Sequence, residues 1–228
     1  MKKVGIVGGI GPVSTLDYYS GIISGCRART NDGNYPEIVI NSINMTEMAQ
    51  HLSSGDMNAL INMLLSAIES LADAGAEIAA IASNTPHIVF DRVQEKSALP
   101  LVSIVEATCD RVQQQGCKKV IVIGTLFTMN SGLYSNAFEK HGITAIVPPE
   151  SEQAVIHGII FPKLEDGIVV PEDKKQMLAI AGGLLFDHQA DALILGCTEL
   201  PLMIQDDDLD TMIFNSTQIH IKAIVDSM

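Results

Sequence analysis

The chain has 228 residues, 47% of them hydrophobic, and a formal net charge of −13 at pH 7. A nucleic-acid-binding surface needs clustered basic side chains, so this excess of acids argues against a nucleic-acid partner. No stretch reaches the roughly 20 apolar residues that a membrane-spanning helix needs, and the short, glycine-rich run near Met1 does not fit a signal peptide. We therefore expect a soluble, cytoplasmic protein with a substantial core.

The four cysteines are Cys26, Cys109, Cys117 and Cys197. No two of them have C-x-x-C spacing, so a zinc site or a thioredoxin-type redox motif is not predicted. A disulfide framework is not expected in a cytosolic chain of this size. The first three lie in helical patterns or in a turn, where a cysteine serves as a small apolar residue. Cys197 differs because it directly follows an apolar, strand-like run.

Strand-like apolar runs alternate with helical patterns in the first half of the chain. The helical spacing is clearest over residues 56–74, where Leu60, Leu64, Ile68 and Leu71 recur on one face. The predicted strands cover residues 3–8, 37–42, 78–82 and 100–104, and the predicted helices cover residues 13–29, 56–74, a stretch up to residue 96, and residues 105–115.

The turn after the first strand reads Gly8-Gly9-Ile10-Gly11-Pro12. Its glycines do not follow the order G-x-G-x-x-G, and the chain has no G-x-x-x-x-G-K-[ST] motif, so nucleotide binding is not favoured. Two interpretations stay open. The glycines allow close packing of the turn against its helix, or backbone N–H groups at the start of this helix receive a carboxylate.

The second half of the chain repeats this alternation. The predicted strands cover residues 118–124, 143–147, 192–195 and 213–215, and the predicted helices cover residues 151–166, 171–188 and 217–228. Strands that alternate with helices predict an α/β fold with parallel sheets and helices on both faces. Each half opens with a strand, a glycine and a turn, which predicts two similar lobes that face a shared cleft.

Two matching strand ends are the best indication of function. The apolar run that begins at Ile78 stops at Ser83, and Thr85 follows shortly after it. The apolar run that begins at Ala192 is followed by a glycine and then by Cys197 and Thr198. Open parallel sheets bind ligands at the carboxyl ends of their strands. A thiol there can act as a nucleophile if a histidine such as His87 activates it. It can also exchange a proton with carbon while a second group acts from the opposite face.

The protonation state of the Cys197 thiol depends on the structure of the next few residues. A helix that starts at Glu199 or Leu200 would lower the pKa of the thiol. Ser83, at the matching strand end, has a simpler alternative role as a turn serine that caps the next helix. From the residues alone, these alternatives stay open.

Six motifs in this chain resemble those of the aspartate/glutamate racemase family. They are GIVGGIGP (5–12), SNTPH (83–87), GTLFTM (124–129), HGIIF (157–161), GCTEL (196–200) and FNST (214–217). The resemblance implies two flavodoxin-like lobes related by pseudo-twofold symmetry, with the active site between them. It also implies a homodimer that acts on a small amino acid and needs no cofactor or metal.

The resemblance also assigns roles to individual residues. Cys197 matches the second-lobe cysteine, which works on the L-isomer in racemases of this kind. Ser83 stands where the first-lobe cysteine normally lies, as in a branch of the family that has threonine there. The remaining positions implied to contact substrate are Asn84, Thr85 and Thr198, which hold the α-carboxylate and amino group, and Ile10 and Thr128, which line the cleft.

Three residues depart from the family pattern. A serine hydroxyl is far less acidic than a thiol, so Ser83 is expected to relay protons poorly. Leu126 replaces a frequent arginine, which removes a cation from the region that receives the distal carboxylate. Lys163 is the candidate replacement, although a solvated helix lysine is an alternative interpretation. Asn215 replaces a frequent aspartate.

The resemblance thus implies a racemase of aspartate, glutamate or both that favours the L-isomers. A decarboxylase of malonate-like acids stays open, because one thiol suffices to deliver one proton to one face. A binding protein that keeps the cleft but lacks one catalytic group also stays open. We expect residues 1–97 and 208–228 to form the N-terminal lobe and residues 98–207 to form the C-terminal lobe.

Overall fold

The computed structural model describes residues 1–30 and 33–228. Within these residues the chain forms eight strands, arranged as two four-stranded sheets in which every neighbouring pair is parallel. Helices flank the strands throughout, so the predicted α/β class with two parallel sheets is confirmed. None of the helices in the described ranges combines the length and the apolar character needed to cross a membrane.

The first compact unit consists of Met1–Ile104 and His220–Met228. Its strands lie in the order β2-β1-β3-β4. The strands are β1 (Val4–Gly8), β2 (Ile38–Ser42), β3 (Ile78–Ile81) and β4 (Leu101–Val102), and the helices are α1 (Pro12–Thr30), α2 (Met45–Ser54), α3 (Met57–Asp73) and α4 (Phe90–Lys96).

The second compact unit consists of Val105–Ile219. Its strands lie in the order β6-β5-β7-β8, which repeats the order of the first unit. The strands are β5 (Lys119–Ile123), β6 (Thr144–Ile146), β7 (Ala192–Leu195) and β8 (Met212–Asn215), and the helices are α5 (Ile104–Gln114), α6 (Leu126–Asn130), α7 (Leu133–Glu139), α8 (Glu150–Ile159) and α9 (Pro171–His188). Helix α10 (Ser216–Ser227) begins in the second unit and belongs to the first unit from His220 onward.

Strand β8 lies in the sheet of the second unit, where it pairs with β7 from Ala192↔Met212 to Leu195↔Asn215. The sequence pattern predicts residues 208–228 in the N-terminal lobe. The chain instead returns to the first unit at His220, within α10. A repeated four-strand order requires this arrangement, because β8 is the counterpart of β4.

The central strands of both sheets are buried on both faces. Every residue of β1, β3 and β7 is buried, as expected of parallel strands covered by helices. Helix α3 buries the apolar stripe that the sequence predicts, and Leu71 packs so close that a Cβ atom on Gly5 would lie 3.0 Å from its Cβ. The apolar runs of the sequence therefore form the layers that hold the strand ends in place.

The helix predicted over residues 151–166 is interrupted. Helix α8 ends at Ile159, and a further helical segment spans Ile160–Leu164. Pro162 explains the break, because a proline lacks the N–H that would continue the α-helix and disfavours helical backbone at the preceding residue. Phe161 accordingly has extended backbone, with φ −105° and ψ 134°. This segment leads directly to Glu165, whose negative charge contributes to raising the pKa of Cys197.

Candidate active site

Ser83 and Cys197 occupy equivalent positions in the two units. Each follows the third strand of its sheet, two residues beyond the last strand residue, which is Ile81 in β3 and Leu195 in β7. Both side chains are buried. The two strand ends that the sequence singles out are therefore counterparts in the repeated fold.

Glu199 accepts two hydrogen bonds next to the candidate catalytic thiol. Cys197 Sγ donates to Glu199 Oε2 at 3.1 Å, and Thr198 Oγ1 donates to the same oxygen at 2.8 Å. Glu199 is only 4% exposed, and Cys197 also packs in the apolar core of the second unit. The thiol thus lies between an apolar wall and a buried carboxylate.

The expected lowering of the thiol pKa is wrong. Only a single 3-10 turn, Leu200–Leu202, follows Glu199, so no α-helix N-terminus faces the sulfur. Burial and the neighbouring Glu199 carboxylate raise the pKa of the Cys197 thiol well above its usual range. The resting thiol is therefore protonated and needs a proton acceptor before it can act as a base.

A second acid lies in the surroundings of Cys197. Burial, together with the carboxylates of Glu199 and Asp166, raises the pKa of Glu165 to about 7. The charge of Glu165 in turn contributes to the raised pKa of the thiol. The residues 1–30 and 33–228 contain no group of three His, Cys, Asp or Glu side chains placed to hold a metal ion.

Thr128 packs against the loop that carries Cys197. A Cβ atom on Gly196 would lie 3.3 Å from Thr128 Cγ2 and 3.0 Å from the Ile123 carbonyl oxygen, so glycine favours this close approach. Thr125 caps α6 by accepting from the Thr128 N–H at 3.3 Å. The structure therefore brings together three predicted site residues of the second unit, which are Thr128, Cys197 and Thr198.

Lys163, the candidate cation for the distal carboxylate, forms an ion pair with Asp173. Its Nζ lies 3.2 Å from Asp173 Oδ2, and its side chain is 51% exposed. Leu126, which replaces the family's frequent arginine, packs partly buried against the apolar core of the second unit. The assignment of Lys163 to a distal carboxylate stays a prediction that requires the lysine to exchange Asp173 for the substrate.

Asn215 has a structural explanation. Its Oδ1 accepts from the Gln218 N–H at 3.1 Å, which caps the first turn of α10. An aspartate would accept the same hydrogen bond, so the replacement removes a charge and keeps the cap.

In the first unit, Ser83 begins the SNTPH motif. The Ser83 N–H donates to the Ile81 carbonyl at 2.9 Å, and a 3-10 turn spans Thr85–Val89. Because this turn starts at Thr85, Asn84 and not Ser83 precedes it, so the alternative of Ser83 as a helix cap is wrong. Asn84 is buried beside Ser83, and Thr85 is half-buried.

The glycine-rich turn packs closely, as one of its two interpretations predicts. A Cβ on Gly9 would lie 2.5 Å from the Ile43 carbonyl oxygen, and its φ of +78° also favours glycine. Ile10 is buried in the apolar core between α2, α3 and the sheet. Ser14 Oγ donates to the Ala82 carbonyl at 3.1 Å, which ties α1 to the residue before Ser83.

His87 does not serve as an activating base. Its Nδ1 lies 2.8 Å from the Ser83 carbonyl oxygen, and its Nε2 accepts from the Ile104 N–H at 3.3 Å. Both ring nitrogens are therefore bound to backbone groups of the first unit. The Cys–His nucleophile that the sequence left open is not supported, and the partner of the thiol is Glu199.

The chain is similar over nearly its whole length to known proteins. The Asp/Glu/Hydantoin racemase family model matches residues 7–224. The broad specificity amino-acid racemase RacX of Bacillus subtilis is 25% identical over 227 residues, which cover 97% of this chain and 96% of that protein. The crystal structure of an aspartate racemase homologue from Pyrococcus horikoshii is 37% identical, with a TM-score of 0.83 and coverage of 100% and 99% of the two chains.

A more distant structure shares the fold. The glutamate racemase of Francisella tularensis in complex with D-glutamate is 19% identical, with a TM-score of 0.71 and coverage of 99% of this chain and 80% of that one. The family model spans nearly the whole described chain and includes residues of all eight strands. The chain therefore belongs to the Asp/Glu/hydantoin racemase family.

Proposed function

We propose that this protein is a cofactor-independent amino-acid racemase in which Cys197 exchanges protons with the substrate α-carbon and Ser83 acts at the opposite face. Family membership supports the reaction class. The observation that carries the proposal is the hydrogen bond from Cys197 Sγ to Glu199 Oε2 at 3.1 Å. It pairs the only cysteine just beyond the carboxyl end of a strand in the described sheets with a buried proton acceptor.

Glu199 makes the protonated thiol usable as a base. The thiol proton moves to Glu199 Oε2, and the resulting thiolate takes the α-proton of the amino acid while the C–H electron pair stays on the substrate as a carbanion. The protonated thiol then returns a proton to the same face in an exchange, and a group on the other face must supply the proton for an inversion. Net charge in the buried site is unchanged by the first transfer.

Ser83 donates a proton to the other face of the substrate α-carbon only slowly. Its hydroxyl is far less acidic than a thiol, so protonation from this side produces an unfavourable alkoxide that must be reprotonated at once. Exchange of the α-proton from the L-isomer should therefore be faster than inversion to the D-isomer. This difference is the physical basis for the proposed preference for L-substrates.

Aspartate and glutamate are the first substrates to test. Asn84, Thr85 and Thr198 would hold the α-carboxylate and amino group, and Ile10 and Thr128 would line the cleft. Lys163 would hold the distal carboxylate after releasing Asp173. RacX is described as a broad specificity racemase, so neutral and basic amino acids belong in the same panel. We further propose that the protein is a homodimer in the cytoplasm, and sedimentation velocity would measure its oligomeric state.

The experiment is a racemisation panel with chiral chromatography. The L- and D-isomers of aspartate, glutamate, glutamine, alanine and lysine are incubated separately with the wild type and with Lys163→Met. The proposal expects turnover of at least one amino acid, and a raised KM for acidic substrates in the variant if Lys163 binds their distal carboxylate. Absence of turnover with every amino acid would overturn the racemase proposal. An unchanged KM would remove Lys163 from the site.

A decarboxylase of malonate-like acids is the second candidate. The protonated state of the Cys197 thiol favours it, because a decarboxylase breaks a C–CO2 bond and then needs one proton for the resulting enediolate. Glu199 or solvent would reprotonate the sulfur. Release of CO2 from methylmalonate or phenylmalonate, lost in Cys197→Ala, would support this candidate, and intact malonates would exclude it.

A further inference from the structure

Two buried histidines of the first unit have fixed tautomers. The Ile104 N–H can only donate, so His87 Nε2 accepts at 3.3 Å and His87 Nδ1 carries the hydrogen that it donates to the Ser83 carbonyl at 2.8 Å. Burial and the neighbouring His220 lower the pKa of His87 to about 3. His87 is therefore a neutral ring that binds two backbone groups at once.

His220 is fixed in the same way. The Val102 carbonyl can only accept, so His220 Nε2 donates to it at 2.9 Å, and Nδ1 accepts from the Tyr18 hydroxyl at 2.7 Å. Burial lowers the pKa of His220 to about 4. The two imidazoles meet edge to face, with centroids 6.1 Å apart and planes at 81°. Together they form one neutral polar cluster, which we call the histidine pair.

The histidine pair lies where the chain passes between its two units. The chain leaves the first unit after Ile104 and returns to it at His220. His87 binds the last residue before the first crossing, and His220 is the first residue after the second crossing. Both crossings are thus connected through side chains to the carbonyl of Ser83, whose hydroxyl is the proposed proton donor.

We propose that His87 is a positioning residue that holds Ser83 in place, and that the histidine pair anchors the Ser83 loop to both chain crossings. The proposal rests on the role of Ser83 in the proposed function. The serine carbonyl is fixed by the imidazole, and the placement of its hydroxyl toward the substrate then depends on the same backbone. Loss of the imidazole ring should slow inversion, which depends on Ser83, and should leave α-proton exchange at Cys197 unchanged.

A purely structural role for His87 must be separated from this one. The Phe90 ring stacks on His87, with centroids 4.9 Å apart and planes at 8°, so removal of the histidine also disturbs packing. His87→Phe keeps an aromatic ring and removes both hydrogen bonds. Phe90→Leu is the matched control, because it disturbs the stacking and keeps both hydrogen bonds. His87→Asn is the conservative variant, since its amide can still donate to the Ser83 carbonyl.

Two readouts are needed, and the first requires no substrate. Hydrogen–deuterium exchange by mass spectrometry reports opening of the peptide that contains residues 82–88. The second readout is the ratio of inversion to α-proton exchange with the best L-substrate. Of the two hydrogen bonds that His87→Phe removes, the one to the Ser83 carbonyl bears on these readouts, and its loss at average net strength corresponds to about a fivefold change. We expect His87→Phe to speed exchange of this peptide and to lower the inversion ratio by about that factor.

The controls decide the outcome. Phe90→Leu should change both readouts by less than His87→Phe, and His87→Asn should recover much of the loss. Unchanged exchange of the 82–88 peptide in His87→Phe, or equal effects of His87→Phe and Phe90→Leu, would overturn the positioning role. If the wild type turns over no amino acid, the proposed function fails, and the hydrogen-exchange comparison alone accepts or rejects the anchoring of the loop by His87.

Discussion

Cys197 Sγ lies 3.1 Å from Glu199 Oε2, and both side chains are buried in the loop after β7. The pair can hold its proton on sulfur or on the carboxylate without changing the net charge of the site. A buried thiol with a raised pKa is a poor base alone, because it keeps its proton. The Glu199 carboxylate lies within hydrogen-bond distance and can accept this proton, which leaves a thiolate that acts as the base. The two residues should therefore act together when the thiol loses its proton.

Replacement of Glu199 by glutamine should slow the reaction strongly. The amide keeps the size of the side chain but cannot accept the thiol proton as a base, so α-proton exchange should fall by about 10²–10⁴, the usual contribution of a general base. The variant should also lower the pKa of Cys197, because the Glu199 charge contributes to raising it. The rate of Cys197 alkylation, followed by stopped flow as a function of pH, measures this shift.

The control is Glu95→Gln, which removes a carboxylate at an exposed position of α4. If α-proton exchange in Glu199→Gln ran at the wild-type rate, Glu199 would have no part in the mechanism.

Glu165 should make stability depend on pH. Its folded-state pKa of about 7 is raised from 4.5, so between these values the folded protein binds more protons than the unfolded one. The free energy of unfolding should therefore fall as pH rises from 4.5 through 7. Urea denaturation at pH 5 and pH 7.5 measures the fall in the free energy of unfolding between these two pH values. This fall should be smaller by about 1 kcal/mol in Glu165→Gln, a figure that allows for solvent screening of this partly exposed group. Equal pH dependence in both proteins would contradict the assignment.

Gly196→Ala should destabilise the Cys197 loop. The added Cβ would lie 3.0 Å from the Ile123 carbonyl oxygen and 3.3 Å from Thr128 Cγ2, and overpacking of this kind costs about 1–3 kcal/mol. Activity should fall with stability because the thiol shifts with the backbone. Gly158→Ala in α8 is the matched control: apart from its chain neighbours and the backbone of its own helix, no atom lies within 4 Å of the added Cβ, so the variant should be neutral or stabilise by up to about 1 kcal/mol. Similar midpoints for both variants in chemical denaturation would show that the close contact is not limiting.

Ser83→Cys should convert a one-sided catalyst toward a two-sided one. A thiol donates a proton far more readily than a hydroxyl, so inversion should rise at least about tenfold relative to exchange of the L-isomer. Ser83→Ala should abolish inversion and leave exchange from the L-isomer. Chiral chromatography beside proton NMR measures the two rates. Inversion that is equal in Ser83→Ala and the wild type would mean that water or another group supplies the second proton.

Much of the fold is predictable from the sequence because each central strand is an apolar run and helix α3 has a clear apolar stripe. Strands β3 and β7 and helix α9 lie where the patterns predict them. The short helices α2, α6 and α7 are not predicted, since each is brief and depends on local features such as the Asn44 cap before α2. Residue spacing also does not reveal that β8 belongs to the second sheet, because that depends on which strand it pairs with.

The candidate site is predictable in part. Position alone identifies Cys197 and Ser83, because both follow an apolar strand at equivalent places. The role of Glu199 is not predicted: its position suggests a helix start, and only the tight path after Cys197 turns its carboxylate back onto the sulfur. The acid two residues beyond the thiol is the signal that could have indicated the pair. The partners of His220 could not be predicted, since Tyr18 lies 202 residues away in the chain.

Proton NMR in D2O measures most directly whether Cys197 removes the α-proton. L-Glutamate, L-aspartate, the D-isomers and the further amino acids of the panel are incubated one at a time with the wild type, Cys197→Ala and Cys117→Ala. Cys117 is a buried cysteine outside the site, so its variant controls for loss of a thiol. We predict loss of the α-proton signal from an L-isomer with the wild type and Cys117→Ala, and a persistent signal with Cys197→Ala. Wild-type exchange in Cys197→Ala, or no exchange from any amino acid with the wild type, would contradict the role assigned to Cys197.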